Sequence, residues 1–241
     1  GSYASEQVAD ARTCLKLPVA AKSSDLAEAA ALMCNYGTAH LALSRRARLQ
    51  AGESVLVTAA AGGVGMAVVE LARLMGASRI VAACGSEAKL QLAAARGAAP
   101  DGINYRGMDS KAYRARLNEV AGSAGIDCIV DMVGGDLFEP SLRSLNWNGR
   151  AVVVGFAAGT IPKIPANILL IKNISVSGIF WGAHLIHDPS GMMESADQLV
   201  RWWLAGDIKP HIGARMPLEK VNEAFAMIEG RQSTGKVVLV P

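Results

Sequence analysis

From Ser54 onward, short runs of apolar, mostly β-branched residues alternate with segments in which apolar residues recur at helical spacing. Strands that alternate with helices in this way form parallel sheets, because each crossover helix returns the chain to the same edge. The pattern predicts six strands, at 54–58, 79–84, 103–105, 126–131, 149–154 and 174–179. We therefore expect an α/β protein with a doubly wound parallel sheet, whose intervening helices include 89–96, 113–120 and 137–145.

Outside this unit the pattern changes at both ends of the chain. Short extended stretches and turns come before it, followed by a long predicted helix whose N-cap is Ser24 or Asp25. After Gly182 the pattern indicates a polar loop, two helices and a closing strand. These flanking elements are predicted at 24–49, 193–204, 218–228 and 236–240. The chain accordingly divides into three parts, which we expect at 1–24, 25–182 and 183–241.

The composition of the 241-residue chain narrows the classes of protein to which it can belong. Hydrophobic residues make up 51% and charged residues 19%, which is enough apolar material for one large core or two unequal ones. The net charge of +3 is spread along the chain without a run of five or six like charges, which argues against binding to nucleic acid or to a membrane surface. No apolar run approaches the roughly 18 residues that a membrane span needs.

The four cysteines lie singly along the chain, at positions 14, 34, 84 and 128. They form no CxxC pair, which excludes zinc-finger and disulfide scaffolds and indicates reduced thiols. We therefore expect a reducing compartment, the cytoplasm, with an organelle as the alternative if a targeting segment precedes this sequence.

The turn after the first predicted strand, Gly62-Gly63-Val64-Gly65, carries the clearest chemical signal. Glycines let the backbone approach a pyrophosphate closely, and the N–H groups and positive dipole of the following helix bind the anion. The combination is typical of dinucleotide-binding Rossmann domains, although a tight strand-to-helix turn without a ligand could use the same residues. Ala60 stands where the commonest GxGxxG form has its first glycine.

The end of the second predicted strand indicates which dinucleotide binds. NAD sites place Asp or Glu there, and that carboxylate accepts the ribose hydroxyls and repels a 2′-phosphate. Here Ser86 ends the strand region and Lys89 follows, with Tyr105 nearby, and a hydroxyl with a cation favours NADP(H). Two alternatives stay open. Glu87 would face the ribose if the strand ended one residue later, and Lys89 would otherwise be an ordinary solvated lysine.

Seven segments spread along the chain together resemble a known family. They are Asn35-Tyr36-Gly37-Thr38-Ala39, Ala59-Ala60-Ala61-Gly62-Gly63-Val64-Gly65, Ile103-Asn104-Tyr105-Arg106, Asp131-Met132-Val133-Gly134-Gly135, Val153-Val154-Gly155-Phe156, Phe180-Trp181-Gly182 and Ser233-Thr234-Gly235-Lys236-Val237-Val238-Leu239. In this order they resemble the medium-chain dehydrogenase/reductase superfamily, and within it the zinc-independent quinone oxidoreductases.

The resemblance implies roles for individual positions. Gly62, Gly63 and Val64, in the turn that ends at Gly65, match residues that hold the pyrophosphate. The matches around the 2′-phosphate are Ser86, Lys89 and Tyr105. Those along the nicotinamide ribose are Val133, Gly155 and Phe156.

At the nicotinamide end the resemblance implies contacts from Thr38, Phe180 and Trp181. Lys236 would occupy the cofactor-facing turn of the closing strand. For the three aromatic residues, Phe156, Phe180 and Trp181, packing in the core is the alternative interpretation.

The resemblance also implies a domain arrangement. Members of the family begin with a GroES-like, β-rich portion of a catalytic domain, of which about 80 to 100 residues would precede this sequence. Residues 1–24 would then be the end of that portion and 25–182 the NADP(H)-binding Rossmann domain with its lead-in helix. Residues 183–241 would return to the catalytic domain.

The implied function is the NADPH-dependent transfer of a hydride to a quinone or another α,β-unsaturated carbonyl. Such transfer needs orientation and a polar contact more than an acid or a base, and we assign no catalytic residue among the nearby Asn35, Tyr36 and Thr38. An enoyl-thioester reductase of the same superfamily and an NADP(H)-binding module without turnover are the alternatives. Relatives pair the edge strands of two sheets, which implies a homodimer through 174–179.

No metal site is expected. Cys34 lies at the spacing at which zinc-dependent relatives place one cysteine ligand, but catalytic zinc needs three protein ligands. We interpret Cys34 as a buried helix cysteine. His184 and His187 are expected to be ordinary surface histidines of the polar loop.

Overall fold

The structure is a computed structural model that describes residues 3–18 and 25–241. Its centre is a six-stranded sheet made of β1 (Ser54–Thr58), β2 (Arg79–Cys84), β3 (Ile103–Asn104), β4 (Ile126–Asp131), β5 (Leu145–Val153) and β6 (Ser175–Gly178). All neighbouring strands are parallel, and their order is β3-β2-β1-β4-β5-β6. This is the doubly wound order of the Rossmann fold, so the predicted fold class is confirmed.

Helices cover both faces of this sheet and connect its strands. They are α3 (Gly63–Leu74), α4 (Glu87–Ala94), α5 (Ser110–Ala121), α6 (Phe138–Ser144) and α7 (Ala166–Lys172). The central strand shows how the sequence builds two cores, because successive side chains point to opposite faces. Val55 and Val57 belong to a cluster with α3, while Leu56 packs with Tyr113 and Phe138 on the other face.

A helical run leads into the sheet. It consists of α1 (Leu26–Ala31), a π-helical turn at Leu32–Tyr36, α2 (Gly37–Leu41) and a second π-helical turn at Ala42–Ala47. Asp25 caps the run, since its Oδ1 accepts the N–H of Ala27 at 2.9 Å. The other predicted cap, Ser24, lies outside the described residues.

The C-terminal part forms a smaller layer beside the sheet. Its elements are a 3₁₀ turn at Trp181–Ala183, α8 (His184–His187), α9 (Pro189–Ala205), β7 (Ile212–Pro217), a 3₁₀ turn at Leu218–Lys220, α10 (Val221–Glu229) and β8 (Lys236–Val240). β7 and β8 pair in parallel. A further bridge joins Gly62 to Gly235, which brings the start of β8 to the turn after β1.

Two local predictions need correction, and one strand was missed. The expected polar loop after Gly182 is helical, because the N–H of Ala183 donates to the carbonyl of Phe180 at 3.2 Å and α8 follows directly. β7 was not predicted, since Gly213 and Pro217 are poor strand formers and its partner β8 follows only after α10. β5 begins earlier than 149, at Leu145, where its register against β4 shifts.

None of the helices in the described parts of the chain is long and apolar enough to cross a membrane.

Candidate cofactor-binding site

The turn between β1 and α3 presents three backbone donors without partners. Gly62, the N-cap of α3, is extended and has no side chain to cap the helix. The first helical hydrogen bond runs from the N–H of Met66 to the carbonyl of Gly62, at 2.9 Å. Among the described residues, no acceptor pairs with the N–H groups of Gly63, Val64 or Gly65. An anion at this positive helix end would satisfy them.

The glycines of this turn have different reasons to be glycine. A Cβ at Gly65 would overlap the carbonyl oxygen of Ala59, and one at Gly63 would lie 2.6 Å from Nδ2 of Asn35. The packing of the backbone therefore requires glycine at position 65, whereas at position 63 a Cβ would displace only the end of the Asn35 side chain. A Cβ at Gly62 would meet only the oxygen of Ala59, at 3.2 Å, so the turn is open at that position.

Asn35 gives a separate indication of a ligand at the same turn. Its side chain is 8% exposed, lies against Gly63 and makes no hydrogen bond with any described residue. Its amide atoms are not among the fully buried, unpaired polar atoms of the described residues, so they are accessible to a ligand that enters the turn. The donor set of Asn35 and three backbone N–H groups fits the diphosphate of a dinucleotide.

The pocket expected for a 2′-phosphate lies at the end of β2. Ser86 caps α4, because its Oγ accepts the N–H of Lys89 at 3.4 Å. The Tyr105 ring lies 3.7 Å from where a Cβ of Gly85 would stand. Burial is the largest cause that raises the pKa of Tyr105, and the nearby Arg231 opposes it. The pocket therefore holds a hydroxyl, a half-buried phenol and positive charge.

Arg231 is a residue that the sequence interpretation missed. It lies between α10 and β8 with a left-handed backbone, φ 56°, and its carbonyl accepts a hydrogen bond of 2.8 Å from Nζ of Lys89. The backbone bridge between Gly235 and Gly62 brings Arg231 close to the end of β2, where its side chain adds a second cation. The sequence did contain a signal for Arg231. It is a basic residue two positions before Ser233, the start of the last segment that resembles the family.

Glu87 does not end the second strand. β2 stops at Cys84, and Glu87 is the first residue of α4, where its Oε1 accepts Nδ2 of Asn104 at 3.0 Å. This contact turns the carboxylate toward β3. The strand therefore ends where the NADP(H) interpretation requires.

The loop after β4 is organised by Asp131. Its carboxylate accepts hydrogen bonds from Thr58 Oγ1 at 2.6 Å and from the N–H groups of Val133 and Gly134 at 3.3 and 2.8 Å. Burial raises the pKa of Asp131, and these hydrogen bonds oppose that rise. The network joins the ends of β1 and β4 and fixes Val133, which is 7% exposed.

The aromatic residues near the ends of β5 and β6 are not all core residues. Phe156 is 42% and Phe180 is 76% exposed, so packing in the core does not explain them. Trp181 is partly buried, and its indole occupies the space that a Cβ of Gly37 would need. Thr38, one residue further along α2, is 7% exposed and donates to the carbonyl of Cys34 at 2.7 Å.

The fourteen predicted site residues thus lie around the end of the sheet at which the carboxyl ends of its strands meet. Twelve of them follow the carboxyl end of a strand, which is the edge where ligands of such sheets bind. Thr38 is brought there by the contact of Gly37 with Trp181, and Lys236 by the bridge between Gly62 and Gly235.

The described chain offers no metal site. Within residues 3–18 and 25–241, no three His, Cys, Asp or Glu side chains are grouped so that they could hold a metal ion. The interpretation of Cys34 as a buried cysteine was wrong, because the π-helical turn at Leu32–Tyr36 turns Cys34 to the surface and Asn35 and Tyr36 inward.

The strand order and the uncapped glycine turn define a Rossmann-type α/β protein with an anion-accepting edge. A family model described as zinc-binding dehydrogenase matches residues 63–198, more than half of the chain. Quinone oxidoreductase-like protein 2 of Rattus norvegicus is 44% identical over 238 residues, which are 99% of this chain and 66% of that protein. Quinone oxidoreductase of Homo sapiens is 34% identical over 241 residues, 100% of this chain and 69% of that one.

A solved structure gives the same result. The quinone oxidoreductase of Escherichia coli, complexed with NADPH, superimposes with a TM-score of 0.82 at 28% identity and covers 96% of this chain and 69% of its own. The chain therefore belongs to the medium-chain dehydrogenase/reductase superfamily, in its quinone oxidoreductase family, and the predicted family is confirmed. It spans 66% of the length of the rat relative.

Proposed function

We propose that this chain is the cofactor-binding part of an NADPH-dependent oxidoreductase that reduces a quinone or another α,β-unsaturated carbonyl. The observation that carries the proposal is the pairing of two anion-accepting places on one edge of the sheet. One is the glycine turn with its three unpaired N–H groups, and the other is the pocket of Lys89 and Arg231. A dinucleotide with a diphosphate and a 2′-phosphate presents anions to both, and NADPH is the cofactor in the E. coli complex.

The residues of the two places have separate tasks. The N–H groups of Gly63, Val64 and Gly65 bind the diphosphate, assisted by the amide of Asn35. Around the 2′-phosphate, the ammonium of Lys89 and the guanidinium of Arg231 supply charge-assisted hydrogen bonds. Ser86 and Tyr105 line the same pocket. Glu87, held by Asn104, leaves room for the phosphate.

Thr38, Phe180 and Trp181 form the nicotinamide end, Val133, Gly155 and Phe156 lie along the adjoining ribose, and Lys236 occupies the cofactor-facing turn of the closing strand. When bound, NADPH supplies the hydride, and these residues orient the ring and exclude water from its reacting face. The Thr38 hydroxyl already donates to Cys34, so toward the cofactor it acts as an acceptor for the carboxamide. Exposed Phe156 and Phe180 provide apolar surface for a flat substrate.

Tyr36 is not the proton donor of this reaction. Its hydroxyl donates to buried Glu70 at 2.5 Å, and burial together with Glu70 raises its pKa above the ordinary value of 10.0. A phenol held in this way does not release its proton at neutral pH. We therefore assign no general acid within the chain.

We also propose a homodimer and a cytoplasmic location. β6 ends the sheet with one neighbour, and α7, which leads into it, exposes Leu170 by 82% and Ile171 by 70%. An open strand beside exposed apolar side chains is the feature that a second copy would cover. The location rests on the free cysteines, of which Cys14 and Cys34 are exposed and would be oxidised outside a reducing compartment.

Titration with NADPH and NADH in parallel, followed by calorimetry, tests the cofactor. We expect tighter NADPH binding, which Lys89→Ala weakens about 10- to 100-fold without weakening NADH, since hydrogen bonds to charged groups are worth roughly 1.5–3 kcal/mol. Arg116→Ala, which removes a cation paired with Glu119 on α5, is the matched control. Preference for NADH would mean that Glu87 contacts the ribose, and absence of binding would refute the proposal.

Turnover is tested separately, with NADPH oxidation in the presence of a simple quinone, an enone or an enoyl thioester. Oxidation by the quinone or enone supports the proposed activity, and oxidation by the thioester alone would replace it with thioester reduction. NADPH binding without any turnover would leave the chain a binding module.

A further inference from the structure

A buried carboxylate joins three separate segments behind the cofactor turn. Glu70, on the inner side of α3, is 5% exposed. It accepts hydrogen bonds from the hydroxyl of Tyr36 at 2.5 Å, from Nη1 of Arg96 at 2.5 Å and from the backbone N–H of Lys209 at 3.2 Å. One side chain thus ties the lead-in helix, the turn after α4 and the segment after α9 together.

The contacts continue from Arg96 toward the glycine turn. Nη1 of Arg96 also donates to the carbonyl of Lys209 at 2.6 Å, and Nη2 lies 3.4 Å from Nδ1 of His211. The other ring nitrogen of His211 is 3.1 Å from Oγ1 of Thr234.

The next residue reaches the cofactor turn itself. The N–H of Gly235 donates to the carbonyl of Ala61 at 3.0 Å, and the N–H of Lys236 donates to the carbonyl of His211 at 2.9 Å. A Cβ at Gly235 would overlap the backbone of His211, so the two strands touch closely here. A continuous polar chain therefore runs from Glu70 to the turn after β1.

Ile208, which is 2% exposed, anchors the start of this segment in the core, but beyond it apolar packing does little to hold the C-terminal strands and α10. Side chains of β7 alternate between half-buried and exposed, those of β8 are half-buried or exposed, and Ala224 is the buried residue of α10. Segments with few buried apolar contacts open easily unless other interactions hold them. Here the Glu70–Arg96 ion pair supplies such an interaction, and removal of Arg96 would leave the buried carboxylate of Glu70 without its countercharge.

We infer that Glu70 and Arg96 are positioning residues for the cofactor site. They hold Lys209 and His211, and through them Thr234 and Gly235, against Ala61. The segment that carries Arg231 is thereby placed beside Lys89 before the dinucleotide arrives. Such preassembly lowers the ordering cost of binding, and the inference rests on the proposed NADPH function.

The test compares two arginine variants, Arg96→Gln and the control Arg150→Gln. Arg150 is likewise a partly buried arginine paired with a glutamate, Glu53. This pair lies toward the amino ends of the strands, away from the cofactor site. Hydrogen exchange of the Gly235 and Lys236 amides is measured without cofactor, and the NADPH dissociation constant is measured by calorimetry.

We expect Arg96→Gln to speed exchange at both amides at least about tenfold and to weaken NADPH binding by a similar factor. Arg150→Gln, at a comparable loss of thermal stability, should change neither. Arg96→Lys, which keeps a cation beside Glu70, should restore part of both. If Arg96→Gln does not fold, Thr234→Val removes only the hydroxyl contact to His211 and should shift both measurements in the same direction.

Unchanged exchange at Gly235 and Lys236 would overturn the inference, and so would faster exchange with unchanged NADPH affinity. Equal effects of Arg96→Gln and Arg150→Gln on exchange and affinity would also overturn it, because the Glu70–Arg96 ion pair would then contribute only to the overall stability of the fold. If the wild-type chain binds no NADPH, the proposed function fails, while the exchange measurement still decides whether Glu70 and Arg96 hold the segment.

Discussion

The ammonium group of Lys89 donates a hydrogen bond of 2.8 Å to the backbone carbonyl of Arg231, across 142 residues of sequence. Lys89 belongs to the first turn of α4, and Arg231 precedes β8. The bond places two cations beside the end of β2, where a 2′-phosphate would lie. Each of them should therefore contribute to the choice between NADPH and NADH.

Arg231→Ala should weaken NADPH binding about tenfold or more and leave NADH binding unchanged, because only NADPH carries the phosphate that the guanidinium would contact. Dissociation constants for both cofactors, measured at several salt concentrations, check this. Glu87→Gln is the companion variant and should change neither affinity, since Asn104 already holds that carboxylate. A selective loss of NADH affinity in Glu87→Gln would contradict our assignment.

The contrast between Lys89 and Arg231 shows what the sequence could reveal. β1, β2 and β4 have the predicted bounds because each is built around a short run of buried apolar residues, and Lys89 lies shortly after the end of one of them. Arg231 joins the same pocket only through the docking of Gly235, a contact between distant segments. The inward orientation of the Asn35 side chain likewise depends on a π-helical turn, which α-helical periodicity in the sequence does not predict.

Gly65→Ala should lower the free energy of unfolding by about 1–3 kcal/mol, as overpacked cores do, because the new Cβ would overlap the carbonyl of Ala59. Gly62→Ala should cost much less, since its Cβ would lie 3.2 Å from the same oxygen. Its effect should instead appear as weaker NADPH binding at the open side of the turn. Thermal unfolding and cofactor titration of both variants separate the two effects. Equal stability losses would contradict this difference.

The pair of Glu53 and Arg150 should support stability above mildly acidic pH. Burial alone would raise the pKa of Glu53, but hydrogen bonds from Arg150 and from the N–H of Gln50 outweigh it and hold the pKa below its ordinary value of 4.5. A carboxyl group whose pKa is lowered in the folded state favours folding while ionised. Its contribution is complete above 4.5 and is lost as the pH falls toward the folded pKa.

Arg150→Gln should therefore reduce stability at neutral pH and flatten the loss of stability between about pH 5 and pH 3. Denaturant unfolding across this range measures both changes. The control is Arg79→Gln, which removes an exposed pair with Asp101 and should alter the curve little. An acid limb as steep in Arg150→Gln as in the wild type would show that other carboxylates cause it.

The proposed dimer gives a prediction about mass. Ile171→Glu should convert a dimer into a monomer, because it places a charge among the exposed apolar residues of α7, the helix that leads into the edge strand β6. Since Ile171 is 70% exposed, the substitution should leave thermal stability of the monomer nearly unchanged. Light scattering at micromolar concentration measures the mass.

Ile228→Glu is the matched control, since Ile228 is 51% exposed on α10 and lies in the C-terminal layer rather than at the sheet edge. It should leave the dimer intact. A monomeric mass for the wild-type chain would refute the dimer at once. If Ile228→Glu breaks the dimer and Ile171→Glu does not, the interface lies in the C-terminal layer, where exposed apolar side chains are also found.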